Sequence, residues 1–522
     1  MLRGRKEISR EEHQEVTDLH NGKSAQSLSL GKLAVFLVIF RCLNTVLVQT
    51  SFVPDEYWQS LEVAHKTTFG YGYLTWEWVT GLRGFTYPAM FTVLYKLLDV
   101  FGIDHPYLLI ILPRLLQGIF SAGQDIALFL LSWKLFDHQS AYWTLFCHLT
   151  SWFTFYTATR TLTNTMESIC TTFGLLFYPW PSSLSREPGN ARLCVLFSAV
   201  SVVMRPTAAI IWFPLYLWHL MRTNEKSKMI FTIYAPIGLA VLLISMVIDY
   251  TFYGKLVFVQ YNFLEFNVLH DMGEFYGSHP WHWYITQGLP AILGPHLPLV
   301  VLGGRGDARR LLPLVLLVLW VVLSYSFLSH KEFRFILPVL PICMLFCGSF
   351  LSKCKQTTKY LLITYLIVLN LPLALYTGLW HQRGTIDVMR FLQTELSSKS
   401  APEDSYCLFL MPCHSTPFYS HLHINANLRF LMCEPNLEEI PGYTDESSVF
   451  YQNPEEWLMI NDVTRDYPDY VIMFDVLTEK VQSFLKSGRY IKIAEFFHTH
   501  FPDGRVGGHV VVFHQTDQSD IR

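Results

Sequence analysis

The sequence predicts a polytopic α-helical membrane protein of roughly ten to twelve spans followed by a C-terminal α/β domain. Three observations lead there. The 522 residues are 51% hydrophobic and only 16% charged, too apolar for an ordinary soluble chain of this length. Apolar stretches able to cross a hydrocarbon core of roughly 30 Å recur from Leu33 to Leu379. From His381 onward charges, proline and asparagine return and the apolar runs shorten. The formal net charge of -3 supplies no basic field for nucleic acid, which is excluded as a partner.

A charged start, Met1–Lys6, precedes the first apolar run, and no small-residue cleavage site follows that run. It reads as an uncleaved first span behind a cytosolic tail of residues 1–32. The runs are Leu33–Val48, Leu108–Leu131, Ala141–Tyr156, Ser168–Trp180, Leu193–Met221 (broken at Arg205-Pro206), Met229–Ile248, Gly288–Gly303, Leu311–Leu328, Phe335–Leu351 and Tyr360–Leu379. Each is expected to be helical, because lipid offers an isolated segment no other way to satisfy its backbone. Basic turns at Arg222–Lys228, Arg305–Arg310 and Lys353–Lys359 alternate with less basic ones, which assigns them to the cytosol. The opposite segments are then luminal: Ser51–Tyr87, Thr159–Glu167, the Arg205 turn, Thr251–Gln287, Ser329–Arg334 and everything after Trp380. Pro88–Phe101 is one crossing too many for this parity and reads as a surface helix or a mis-split neighbour. The Gly303–Gly306 run reads as a plain turn on the basic side, since no strand precedes it.

Residues 33–383 thus form a transmembrane domain and residues 384–522 a luminal α/β domain. In the latter, Tyr406–Met411, Asp469–Phe474, Tyr490–Ala494 and His509–Phe513 are predicted strands, and Asp387–Leu396 and Glu479–Leu485 predicted helices. The ten cysteines make no zinc pattern. Cys407, Cys413 and Cys433 are an odd set of three in the polar part, so at most one bridge forms among them, and which two pair stays open.

Chemistry-bearing residues gather in the luminal segments. After the first span comes SFVPDEYWQ, with Asp55 and Glu56 side by side at the mouth of the membrane domain. A carboxylate there suits removal of a hydroxyl proton as a sugar leaves a lipid phosphate; as helix-start acids after Pro54 the pair would instead complement the dipole. Neighbours on a helix point about 100° apart, so one of the two faces the reacting centre, and Asp55 is favoured. Trp76, Glu77 and Trp78 lie in an aromatic loop fit for a sugar face or for an interfacial belt. In SHKEFRF, His330, Lys331, Glu332 and Arg334 are costly near membrane depth and mark an aqueous cavity. Lys331 and Arg334, at i and i+3 of a helix, would grip a phosphate, with His330 adding a hydrogen bond. Asn164, Glu167 and Arg205 read as cavity wall. His279, Trp281 and His282 read as sugar or lipid contacts, no further metal ligands being credible beside them.

The segments VPDEYWQ (53–59), YGYLTWEW (71–78), RTLTNTME (160–167), RPTA (205–208), FYGSHPWHWY (275–284), SHKEFRF (329–335) and MPCHSTPFYSHLH (411–423) together resemble the GPI mannosyltransferase III (PIG-B type) enzymes of glycosyltransferase family 22, which have the GT-C architecture. The acid pair and HKEFRF are shared broadly among lipid-phosphate mannosyltransferases, whereas FYGSHPWHWY and PCHSTPFYS are particular to this group. Val53 stands where wider family members often have histidine. The resemblance implies a dolichol-phosphate-mannose donor, a GPI precursor bearing two mannoses as acceptor, and an α1,2 bond formed with inversion in the lumen of the endoplasmic reticulum. It implies Asp55, or failing that Glu56, as base, with His330, Lys331, Arg334 and Arg205 on the donor phosphate. No metal and no cofactor beyond the donor is implied, and protein partners are unidentified. A mannosyltransferase of N-glycan precursor assembly would differ in acceptor. A lipid or sugar-lipid transporter would spread its charges along a path, whereas here they concentrate at loop ends.

Overall fold

The computed structural model describes residues 30–516 except 186, 270–271, 307, 439 and 462. The predicted tail up to residue 29, including Arg3 and Arg5, lies outside them. Among the described residues six helices are long and apolar enough to cross a membrane alone: Leu30–Leu47, Pro106–Leu135, Lys226–Tyr253, Tyr284–Gly306, Phe333–Lys353 and the helix beginning at Gln356. Shorter helices, among them His138–Thr150, Thr163–Phe177, Ala191–Met204 and Ala209–Arg222, complete the helical layer. Local sequence sets the reversals. Pro106 opens its helix at the position that needs no N–H, and Asp137 accepts the Ser140 N–H (2.7 Å) to start the return helix two residues after the previous one ends. Phe333–Lys353 is the central helix, and Gly348 lets it close on Thr144, where a Cβ would come within 2.0 Å of the hydroxyl oxygen.

Two expectations are corrected here. Gly303–Gly306 is no turn but the end of the helix Tyr284–Gly306; glycine is needed because a Cβ at 303 would lie 2.2 Å from the Phe346 carbonyl. Charge is not confined to loop ends either. Arg41 and Asp125, on two crossing helices, form a buried bidentate pair (2.7 and 2.6 Å) that His148 joins at 3.3 Å, so each charge meets its partner inside the bundle.

The surplus segment Pro88–Phe101 is the helix Thr86–Val100, and both its ends lie on the side of the C-terminal domain. Its start adjoins Leu82 and Arg83 at the cavity described below. Beyond its end, Asp104 meets His423 Nε2 of that domain at 3.3 Å. Tyr87, Phe91, Tyr95 and Leu98 are buried while Val93, Leu97 and Val100 are exposed, the pattern of a helix lying along a membrane surface.

The C-terminal domain carries a five-stranded sheet of order β2-β1-β3-β5-β4, with β1 Tyr406–Leu410, β2 Asn427–Phe430, β3 Tyr470–Phe474, β4 Tyr490–Phe497 and β5 His509–Gln515. β1 runs parallel to β2 and β3; β5 is antiparallel to β3 and β4. Four strands are those expected from the sequence. β2 was not, being a short edge strand with an exposed Asn427 and no clear alternation. Successive residues point to opposite faces: Leu408, Leu410, Val471, Met473 and Val511 face Phe450, Trp457 and Phe484, while Phe409, Ile472, Val510 and Val512 face the helix Gly384–Ser397. The second face is continuous with the membrane domain, through Tyr57, Trp58, Leu61, Tyr87 and Leu109. The hydrophobic core therefore does not divide at residue 383.

Glu62 fastens this junction. Its Oε1 accepts from the Phe418 N–H (2.8 Å), the Ser420 N–H (3.2 Å) and the Ser420 hydroxyl (2.6 Å). Burial raises its pKa from 4.5 to about 6, against the pull of those bonds. A pKa raised on folding favours the protonated group, so this contribution is full below pH 4.5 and is lost as pH rises through about 6. The junction is expected to weaken by about 2 kcal/mol over that interval. The Glu62→Gln variant keeps an acceptor oxygen but cannot titrate, so thermal unfolding in detergent should give a wild-type-minus-variant difference that varies with pH. A flat difference would refute this.

Candidate active site

The chain entering the cavity turns at Pro54, whose carbonyl accepts from the Tyr57 and Trp58 N–H groups (3.0 and 3.1 Å), so a helical turn begins there and the two acids diverge. Glu56 is 2% exposed and its Oε2 meets Arg160 Nη1 at 2.7 Å; Arg160 is fully buried. That guanidinium also donates to the Thr50 and Tyr156 carbonyls (2.6 and 2.7 Å) and lies 4.2 Å from the centre of the Tyr156 ring. Glu56, expected from the sequence as a catalytic candidate, is thus buried against Arg160 and does not line the cavity. Asp55 remains part-exposed on the wall of a cavity of about 370 Å³ and pairs with Arg334 Nη1.

Arg334 is held from its other edge by Glu332, Nε to Oε2 at 2.7 Å and Nη2 to Oε1 at 2.5 Å. Burial alone would push the Glu332 carboxyl up, but the Arg334 guanidinium and His330 hold it well below the usual carboxylate range. His330 sits between two acceptors, Glu332 Oε1 (3.1 Å) and the Gly277 carbonyl (3.0 Å). Burial disfavours its charge, yet these two acceptors outweigh burial and raise its pKa. Only an imidazolium donates to both.

Lys331 does not join them. Residues 327–332 are not helical, and the 3-10 turn starts at Phe333, so the expected i, i+3 face does not exist. His330 and Glu332 reach the cavity while Lys331 is buried, donating to the carbonyls of His279 (2.8 Å) and Leu328. Arg205, extended at the tip between two helices, lines the cavity over the Phe335 ring (4.9 Å) and is braced by Glu167 (3.1 Å) and Thr207 (2.9 Å). Glu167 is buried behind it, outside the cavity lining. Asn164 likewise stays behind the wall, donating to the Arg334 carbonyl at 3.2 Å.

Trp76 and Glu77 line the cavity, Glu77 paired with Arg83 at 2.5 Å. Trp78 does not: it is buried, donates to the Trp58 carbonyl (3.1 Å) and packs on Phe252. His279, Trp281 and His282 are also outside the cavity. His279 stacks on Trp283 and its N–H reaches the Ser329 carbonyl (3.0 Å), Trp281 is 64% exposed, and His282 turns to Thr286. This loop supports the Ser329–Arg334 strip through its backbone. The sequence reading assigned no role to Arg83, Tyr276 or the C-terminal-domain loop bearing Cys413 and His414, all of which line the cavity. Cys413 is bridged to Cys433, leaving Cys407 free and buried in β1.

A cavity between a helical membrane bundle and a C-terminal α/β domain, lined by the carboxylates Asp55, Glu77 and Glu332 among arginines, fits a membrane glycosyltransferase of the GT-C type. Residues 33–423 match the Alg9-like mannosyltransferase family, and the chain belongs to that family. It is 49% identical over 492 residues to the GPI alpha-1,2-mannosyltransferase 3 of Danio rerio (94% of this chain, 91% of the relative). It is 48% identical to the protein of that name from Homo sapiens (92% and 86%), and 35% identical to the GPI mannosyltransferase 3 of Candida albicans (93% and 98%). Among solved structures it shares the fold of ArnT from Cupriavidus metallidurans bound to undecaprenyl phosphate, at a TM-score of 0.59 and 12% identity over 95% of this chain and 99% of that one.

Proposed function

We propose that this protein adds the third mannose of the GPI anchor, transferring it in α1,2 linkage from dolichol-phosphate-mannose to a precursor bearing two mannoses. The reaction is assigned to the luminal face of the endoplasmic reticulum membrane, where the basic turns opposite the cavity would put it. The observation that carries the mechanism is the Asp55–Arg334–Glu332 strip, with His330 and Arg205, in one cavity.

An acceptor hydroxyl attacks the anomeric carbon as the bond to the phosphate oxygen breaks. Asp55 takes the hydroxyl proton, and the electron pair leaves with the phosphate, so one displacement inverts the centre. Arg334, Arg205 and the His330 imidazolium face the charge that grows on the leaving group, already oriented by Glu332 and Glu167. The donor phosphate competes with Asp55 for the Arg334 guanidinium, so donor binding frees the base. No metal is proposed to take part.

The test supplies the protein to microsomes from cells lacking this activity, with dolichol-phosphate-mannose and the two-mannose precursor. A three-mannose product whose new residue an α1,2-mannosidase removes is expected. Absence of product from folded protein, with transfer to an N-glycan precursor instead, would move the assignment to that acceptor.

A further inference from the structure

The wall of the cavity facing the membrane-domain loops is built by the C-terminal domain, from Cys413, His414 and Cys433. His414 stands at φ +60°, a left-handed conformation uncommon for a residue with a Cβ, though histidine is among those enriched there. Its neighbour Cys413 is tied to Cys433, just beyond β2. Its ring is seated between Trp58 (centroids 4.9 Å) and Phe430 (5.1 Å), and Trp58 in turn donates to the Thr416 carbonyl (3.1 Å) of the same loop. Cross-link, aromatic seat and hydrogen bond thus hold one imidazole in a fixed place, but its ring nitrogens have no hydrogen-bond partner among the described residues. Burial lowers its pKa to about 4 against the pull of Asp55, so at neutral pH it offers one N–H and one lone pair. That is the complement of a sugar hydroxyl, not of a phosphate.

Building on the mannosyltransferase reading above, we infer that His414 binds the acceptor glycan, its imidazole hydrogen-bonding a sugar hydroxyl across the cavity from Asp55. The C-terminal domain then selects the acceptor, while the membrane-domain arginines hold the donor. The disulfide serves to keep this contact in register with the base.

The experiment measures transfer in the same microsomes while each substrate is varied, for wild type, His414→Asn and His414→Phe. Asparagine tolerates the left-handed backbone, and phenylalanine keeps a ring against Trp58 and Phe430. Both are expected to raise the acceptor KM about five- to tenfold, the weight of one hydrogen bond, with the donor KM unchanged and the Cys413–Cys433 bridge still closed to thiol alkylation. An acceptor KM unchanged in both variants overturns the inference. So does a parallel rise in donor KM or an opened bridge, either of which makes position 414 merely structural. Wild type that is inert toward the two-mannose precursor refutes the acceptor assignment instead; the three proteins are then compared on the N-glycan precursor, where the same division of KM values decides the role of His414.

Discussion

Asp55→Asn is expected to lower mannose transfer by about a thousandfold while leaving the protein folded and able to hold its donor. The substitution is nearly isosteric, and the amide oxygen still accepts from Arg334, so the strip of side chains through Glu332 and His330 is preserved. It cannot take a proton. Because the wild-type carboxylate competes with the donor phosphate for Arg334, the variant should show an unchanged or lower donor KM together with the fallen kcat. That division marks a lost base, since a collapsed site would raise KM as well. An Asp55→Asn protein of normal abundance and normal kcat would remove Asp55 from the mechanism, and Glu77 would be the next cavity carboxylate to test.

The adjacent acid should behave in the opposite way. Glu56→Ala leaves Arg160 charged, fully buried and without its counter-ion, a change expected to cost about 3–5 kcal/mol of stability. Thermal unfolding in detergent should show a large downward shift. Activity per folded molecule should stay within about threefold of wild type, because Glu56 is turned from the cavity. Glu56→Leu combined with Arg160→Met should recover part of the loss, because the buried charge goes with its partner. Recovery will be incomplete, since Arg160 also satisfies the carbonyls of Thr50 and Tyr156. If Glu56→Ala is as stable as wild type but inactive, the division of labour between the two acids is wrong.

By itself the sequence determined the membrane bundle, the C-terminal sheet and the strips that carry charge. Apolar run length and the alternation of buried residues are local properties, legible one segment at a time. So were Asp55, His330, Glu332, Arg334 and Arg205 as cavity residues, because an ionisable group at the end of a span must face water or a partner. Tertiary structure alone decided which of two neighbouring acids lines the cavity. That depends on Arg160, more than a hundred residues away in the chain, arriving beside Glu56 and not Asp55. It also decided that Lys331 is spent on backbone carbonyls, that His279, Trp281 and His282 lie outside the cavity lining, and that Thr86–Val100 buries one face against the rest of the chain. Above all it brought His414 against Trp58 from the other domain. The physical reason is common to all of these: a segment's own pattern fixes its shape and its depth, but the direction in which a polar side chain is satisfied is set by whichever distant partner packs against it.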